Sequence, residues 1–312
     1  MDDSDIAVEA RSLTKSYGTV RGIADVTLTI ANGEVMALVG ANGAGKTTLM
    51  RTLLDLIRPS SGSVRVFGHV TTTESVQVRR LCSYLPGDFV VPARLTGYQA
   101  IRRYSFTRTD MSLESVDALA SRLDVDLSRR VGELSKGNRQ KVGLVLAFAP
   151  KARLIVLDEP TSGLDPILQR TFNVLVAEAV GSGSTVLLSS HVMSEVQQIA
   201  DRVMLLRNGS VALVDDVSAL LRRSRRRAQV RPGQQSDVAG LAEGLSQIST
   251  VTDVQAGDGA ISFAHAGSID PVVKFLASYE IESLDLSHAD LDDAFFFGRP
   301  VGDGQGDEKA KP

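Results

Sequence analysis

The chain has no tryptophan and only one cysteine among its 312 residues. The missing tryptophan excludes nothing about function. The single thiol, Cys82, excludes an internal disulfide and accords with a reducing compartment such as the cytoplasm. Its apolar neighbours make it a half-buried structural thiol rather than a nucleophile. Long hydrophobic runs are also missing. Stretches such as residues 144–150 fall far short of the roughly 20 residues that a membrane-spanning helix requires. The first residues, Met-Asp-Asp-Ser-Asp, are acidic, without the basic start and apolar centre of a signal peptide. Nor does either charge dominate. Lys and Arg number 34 and Asp and Glu 37, a net charge of −3, which argues against a dedicated nucleic-acid surface. What remains is ordinary for a globular chain, with 43% hydrophobic and 23% charged residues. The length suits one large domain and a small one.

The most informative segment present is Gly40, Ala41, Asn42, Gly43, Ala44, Gly45, Lys46, Thr47. It follows the apolar run Val35–Val39 and opens a helical pattern over residues 48–57, so it reads as strand, glycine-rich turn and helix. Successive backbone N–H groups and the helix N-terminus then converge on one spot, and that spot favours an anion such as a nucleotide triphosphate. Side chains in place of the glycines would block the approach. Lys46 reaches toward β- and γ-phosphates, the Thr47 hydroxyl suits Mg²⁺, and Thr48 offers a further hydroxyl.

A second segment lies about a hundred residues on. Leu154–Leu157 is continuously apolar, as a parallel strand buried on both faces should be, and it ends in Asp158 and Glu159. Carboxylates at the carboxyl end of such a strand lie where α/β sheets place ligands. Asp158 suits Mg²⁺, and Glu159 suits the polarisation of a water attacking a γ-phosphate. Alone, such a pair would read as solvated strand-end acids; the phosphate loop changes that reading.

Four further features fix a family. Leu134, Ser135, Lys136, Gly137 and Asn138 precede an amphipathic helix over about residues 139–149. Ser162, Gly163, Leu164 and Asp165 follow the acidic pair. Another apolar strand, Thr185–Ser190, ends in His191, and Tyr17 and Gly18 sit in a polar turn before a strand pattern at residues 26–30. In this order and at these intervals the chain resembles the ATPase subunit of an ABC transporter, over about residues 7–215. The resemblance implies an α/β fold: a P-loop NTPase domain with a RecA-like core and a helical subdomain. It implies ATP and Mg²⁺ as ligands, with Tyr17 stacked on adenine, Glu159 as general base and His191 on the γ-phosphate. Tyr17 alone would read as surface packing, and a satisfied core histidine is the alternative reading of His191. It also implies that Ser135 and Gly137 serve a site closed by a second ATPase domain packed head to tail, and that Asp165 of the Ser-Gly-Leu-Asp loop belongs to the nucleotide-binding residues. Only one Lys-Thr loop occurs in the chain, so that domain is another copy or a paralogue.

Two departures from the family pattern matter. The signature reads Leu-Ser-Lys-Gly-Asn, which keeps Ser135 and Gly137 and adds a charge at Lys136. After a strand expected at residues 81–85, Gly87 stands where the family usually carries a glutamine that contacts Mg²⁺ and water. Slower hydrolysis or weaker coupling is the expectation.

The remaining chain reads as accessory. Residues 89–130 read as mainly helical, with Leu113, Val116, Leu119, Ala120 and Leu123 on one helical face. Residues 87–97 are expected to form the groove for a membrane partner, with Val90, Val91 and Pro92 exposed. A hairpin over residues 205–211 closes the ATPase domain. Five arginines in residues 222–227 read as a solvated linker-helix face or as a contact for anionic headgroups. Strand, helix, hairpin, helix and strand signals then follow to residue 286, with a last helix at residues 291–297. That order suggests a small α+β, ferredoxin-like domain. The expected domains are 1–217 (helical subdomain about 89–150), 218–300, and a disordered tail at 301–312. By resemblance, through the Leu-Pro-Gly-Asp segment, the signature and the C-terminal extension, the expected role is peripheral on the inner membrane face, driving an exporter permease. An importer subunit, or a soluble relative acting on ribosomes or DNA, are the alternatives; the net charge and single ATPase domain speak against nucleic acid as partner.

Overall fold

The computed structural model describes residues 5–105, 111–223, 226–233, 236–257 and 259–286. The chain forms two compact units, Met1–Val217 and Ser218–Pro312. The first opens with strands β1 (Ile6–Tyr17), β2 (Val20–Ala31) and β3 (Val35–Val39), then helix α1 (Lys46–Leu53). Strands β4 (Ser61–Val66) and β5 (His69–Val70), helix α2 (Ser75–Leu81) and strand β6 (Cys82–Leu85) follow. Next come helices α3 (Gly97–Ser105), α4 (Leu113–Arg122) and α5 (Lys136–Phe148), then β7 (Leu154–Leu157) and α6 (Pro166–Gly181). The unit closes with β8 (Thr185–Ser190), α7 (Met193–Ile199), β9 (Arg202–Arg207), β10 (Ser210–Asp216) and the start of α8 (Val217–Arg223).

Its central sheet has the order β10-β9-β3-β8-β7-β6. The five strands from β9 to β6 are parallel, and β10 adds an antiparallel edge. Every residue of β3, β7 and β8 is buried, which is why the apolar residues of these strands come in continuous runs rather than in alternation. A second, antiparallel sheet has the order β2-β1-β4-β5. It shares a core with α1, built on Ile30, Met36, Leu38, Leu49, Met50 and Leu53. Each such side chain contributes about 1.5–3 kcal/mol by leaving water. Behind the sheet Phe172 of α6 is fully buried and meets Phe148 of α5 edge-on, centroids 6.1 Å apart.

Several boundaries differ from those read in the sequence. Helix α1 starts at Lys46 and stops at Leu53, not at residue 57, because Asp55 turns left-handed (φ 53°) and the N–H groups of Leu56 and Ile57 both return to the Arg51 carbonyl. Leu81 ends α2 rather than opening β6. Tyr17 ends β1, and the turn that follows begins at Gly18. Leu113 is 73% exposed at the start of α4, whereas Val116, Ala120 and Leu123 are buried. Val90 and Pro92 are exposed, but Val91 is buried against Ala100 and Val131. The arginine run does not form one helix face: α8 ends at Arg223, and Arg226 and Arg227 open a strand.

The second unit contains β11 (Arg226–Pro232), α9 (Val238–Ser246), β12 (Val251–Gly257), β13 (Ala260–His265), α10 (Asp270–Leu276) and β14 (Ile281–Leu286). Its sheet order is β12-β13-β11-β14, with every neighbouring pair antiparallel. That is the β-α-β-β-α-β ferredoxin-like arrangement. Val230, Leu241, Leu245, Ile261, Phe263 and Val272 form its core. Asp237 caps α9 by accepting from the N–H groups of Ala239 and Gly240. The helix expected at residues 291–297 and the tail at 301–312 lie outside the described residues.

A candidate nucleotide site at the ends of the parallel strands

Strands β3, β8, β7 and β6 are consecutive neighbours in the sheet, so the segments leaving their carboxyl ends are brought side by side. This is where open α/β sheets bind ligands. The segment after β3 is the glycine-rich loop. Gly40 has φ 155°, and a Cβ there would lie 2.4 Å from the Leu206 carbonyl oxygen. Gly45, at φ 105°, would set one 2.6 Å from the Gly22 oxygen. Both positions therefore exclude any side chain. Ala41, Asn42 and Gly43 form the exposed rim, Ala44 is buried, and the Ala44 carbonyl accepts from Gly209 N–H at 3.0 Å, tying the loop to the β9–β10 turn. Gly45 caps α1 without a side-chain acceptor, and no acid lies in the first turn of the helix. The helix N-terminus thus keeps its attraction for an external anion.

Lys46 is buried, and its Nζ donates to the Gly40 carbonyl at 2.6 Å. It also stands 3.4 Å from Glu159 Oε1. Thr47 Oγ1 donates to Asp158 Oδ2 at 2.7 Å, and Asp158 is 2% exposed. His191 Nδ1 lies 2.7 Å from Glu159 Oε2. Glu159 itself sits in the left-handed region, φ 49°, rare for a non-glycine residue and typical of functional positions. Lys46, Thr47, Asp158, Glu159 and His191 are therefore one cluster. Thr48 lies beside it, its methyl 3.0 Å from where a Cβ of Gly22 would stand; the Tyr17 ring meets the same point at 3.0 Å. Tyr17 is half exposed, with Lys15 Nζ 5.2 Å from its ring centroid.

Three expected site residues stand elsewhere. Ser135 caps α5, accepting from Asn138 N–H at 3.2 Å. Gly137 lies against the Gly163 carbonyl, 2.9 Å from where its Cβ would be. Asp165 caps α6 by accepting from Ile167 and Leu168 N–H. The segment after β6 brings Gly87 against Asp158: a Cβ there would sit 3.5 Å from its Cγ and Oδ2. Nearby, burial pushes the Tyr84 hydroxyl above its usual pKa, and Asp158 adds to the rise while Arg51, 3.5 Å away, opposes it.

Sequence reasoning missed Ser189, Gly22 and Gln140. Ser189 Oγ bonds both Asp158 Oδ1 (2.7 Å) and Glu159 N–H (2.9 Å). Gln140 Nε2 donates to the Pro160 carbonyl at 3.1 Å, holding the turn after the acids to α5. For Ser189 the available signal was a polar residue following the apolar run Val186–Leu188 in a buried strand.

The donor set fits a magnesium nucleotide. Thr47 Oγ1 and Asp158 Oδ2 are two hard oxygens 2.7 Å from each other, and Mg²⁺ characteristically takes few protein oxygens and completes its shell with phosphate and water. Among the described residues no cluster of three His, Cys, Asp or Glu could hold a metal unaided. Glu159 Oε1 is buried and accepts no hydrogen bond; its charge is met by the Lys46 ammonium at 3.4 Å.

A phosphate loop, an acidic strand end and a strand-end histidine on one parallel sheet define a P-loop nucleotide hydrolase. Comparison with known proteins narrows the class. The ABC transporter family matches residues 23–162. The chain is 31% identical over 260 residues to the bacitracin transport ATP-binding protein BcrA of Enterococcus faecalis, covering 81% of this chain and 82% of that one. It is 31% identical over 210 residues to the Nod factor export ATP-binding protein I of Rhizobium meliloti (strain 1021), covering 65% and 62% respectively. A solved ATP-binding subunit of an ABC transporter superimposes with a TM-score of 0.64 at 28% identity, covering 69% of this chain and 92% of that one. The chain belongs to the ABC transporter family as an ATP-binding subunit, an ATPase.

Proposed function

We propose that this chain works as a pair of ATPase domains, with another copy or a paralogue, to drive export through a separate membrane permease from the cytoplasmic face. The observation that carries the catalytic part is the cluster in which Lys46 and His191 hold the two oxygens of Glu159. Lys46 and the N–H groups from Gly40 to Thr48 hold the phosphates, and Tyr17 stacks on the adenine ring. Mg²⁺, when bound, would neutralise phosphate charge as ATP is cleaved. Thr47 and Asp158 would hold it. Glu159 accepts the proton of the attacking water while His191 orients the carboxylate and contacts the γ-phosphate. Ser135 and Gly137, at the N-terminus of α5, face the nucleotide of the second domain, and Asp165 braces the adjoining loop. Export is supported by the relatives named for bacitracin transport and Nod factor export. Among the described residues no helix is long and apolar enough to cross a membrane, in keeping with a permease on another chain. Its docking groove is the cavity of about 360 Å³ between β6 and α5, lined by Tyr84, Phe89, Val90, Tyr104 and Leu146.

The test is recovery of tagged Glu159→Gln from gently solubilised native membranes with and without ATP. Co-purification of a polytopic membrane protein, increased by ATP, is expected. Recovery with ribosomes or DNA instead would overturn the transport reading. Full turnover in Glu159→Gln would overturn the catalytic one.

A further inference from the structure

Ser189 is a polar residue with no exposed surface, near the end of a strand whose apolar centre is Val186, Leu187 and Leu188. A buried hydroxyl must be bonded to be tolerated, and this one bonds twice to the acidic pair. Its Oγ donates to Asp158 Oδ1 at 2.7 Å and accepts from Glu159 N–H at 2.9 Å. A serine has one proton to give, so that proton is committed to Asp158. The relay from Glu159 N–H through Ser189 to the Asp158 carboxylate is polarised in one direction, each bond strengthening the next. Oδ1 is thereby tied inward, and Oδ2 is left to Thr47. The same hydroxyl holds the backbone of Glu159 in its left-handed conformation, from which the carboxylate meets Lys46 and His191. Gly87 sharpens the dependence. It abuts Asp158 but has no side chain with which to steady the carboxylate from that side.

Building on the roles proposed above for Asp158 and Glu159, we infer that Ser189 is a positioning residue that sets both the magnesium carboxylate and the general base through one hydroxyl. Ser189→Ala removes the hydroxyl, and Ser189→Cys keeps a similar volume with a weak donor. The full-length protein is melted with a non-hydrolysable ATP analogue while Mg²⁺ is titrated, and steady-state turnover is measured alongside. In both variants the Mg²⁺ concentration giving half the thermal shift is expected to rise about tenfold, the usual effect of losing a group that orients a metal ligand. The shift produced by the analogue in EDTA stays at the wild-type value, and kcat falls with KM for ATP little changed. Wild-type Mg²⁺ dependence in either folded variant overturns the inference, as does loss of a cooperative melt in both, which would make Ser189 merely structural. Asp158→Asn run in parallel separates the two levels. If it too retains wild-type Mg²⁺ dependence, the reading of the site itself fails.

Discussion

Replacing Gly137 by alanine sets two effects of opposite sign against each other, and their magnitudes decide the outcome. Gly137 lies in the first turn of α5 at an ordinary backbone angle, so alanine there should favour the helix by up to about 1 kcal/mol. The new Cβ, however, would stand 2.9 Å from the Gly163 carbonyl oxygen, and overpacking of this kind costs about 1–3 kcal/mol. Relief requires the Gly163 loop to retreat by a few tenths of an ångström. That loop is pinned on both sides: Ser162 N–H bonds the Glu159 carbonyl, Leu164 N–H bonds the Thr161 carbonyl, and Asp165 caps α6. Thr161 is further held by Glu195, which also accepts from Ser190 and Gln169. The net expectation is a loss of about 0–2 kcal/mol in urea unfolding. Phosphate release should fall by about tenfold or more, because the loop that moves is continuous with Glu159 and small misplacements of reacting groups are costly. A variant that is more stable by the helix-propensity gain and hydrolyses ATP at the wild-type rate would show this account to be wrong, since the contact with Gly163 would then constrain nothing.

Two further outcomes follow from the same geometry. Gly87→Gln places a side chain against Asp158 with its Cβ at an ordinary 3.5 Å contact, so the chain should fold and its turnover should rise; an unchanged rate would show that the missing glutamine does not limit hydrolysis. In the second unit His265 is 1% exposed with both ring nitrogens unbonded, and burial, then Arg226, holds its pKa below the usual imidazole value. The unfolded chain therefore binds the proton more readily: the stabilisation is complete above the ordinary value of about 6.5 and is lost as pH falls from there toward the folded-state pKa, at up to about 1.4 kcal/mol per pH unit. His265→Leu should remove that slope and, at pH 7.5, add about 1–3 kcal/mol by deleting the unpaired polar atoms. Urea unfolding at pH 7.5 and 5.5 measures both, and equal slopes in the two proteins would contradict the assignment.

Much of the site was legible because its chemistry is written in short segments. Gly40 to Thr47 carry their own turn and helix start, and Asp158 and Glu159 follow an apolar run that only a doubly buried strand explains. Local capping was legible too, as at Ser135. The errors arose where an element's ends or distant contacts overrode a local pattern. Leu113 fits the apolar period of α4 yet is exposed, because it lies in the first turn, beyond the buried stripe of Val116, Ala120 and Leu123. The arginines at residues 222–227 look like one basic segment, but the ladder with β13 draws the last two into a sheet.

Local sequence was enough to tell which residues have the chemistry for phosphate, metal and water, and that each stands at the end of an element. That they meet is a property of the folded domain. The sheet order β3-β8-β7-β6 is not the chain order, so the hydroxyl of Ser189 reaches the acids of β7 through hydrogen-bonded pairing of strands about thirty residues apart. Strand register and sheet order arise from which buried faces and backbone ladders fit together across the whole domain, and no local spacing records that fit.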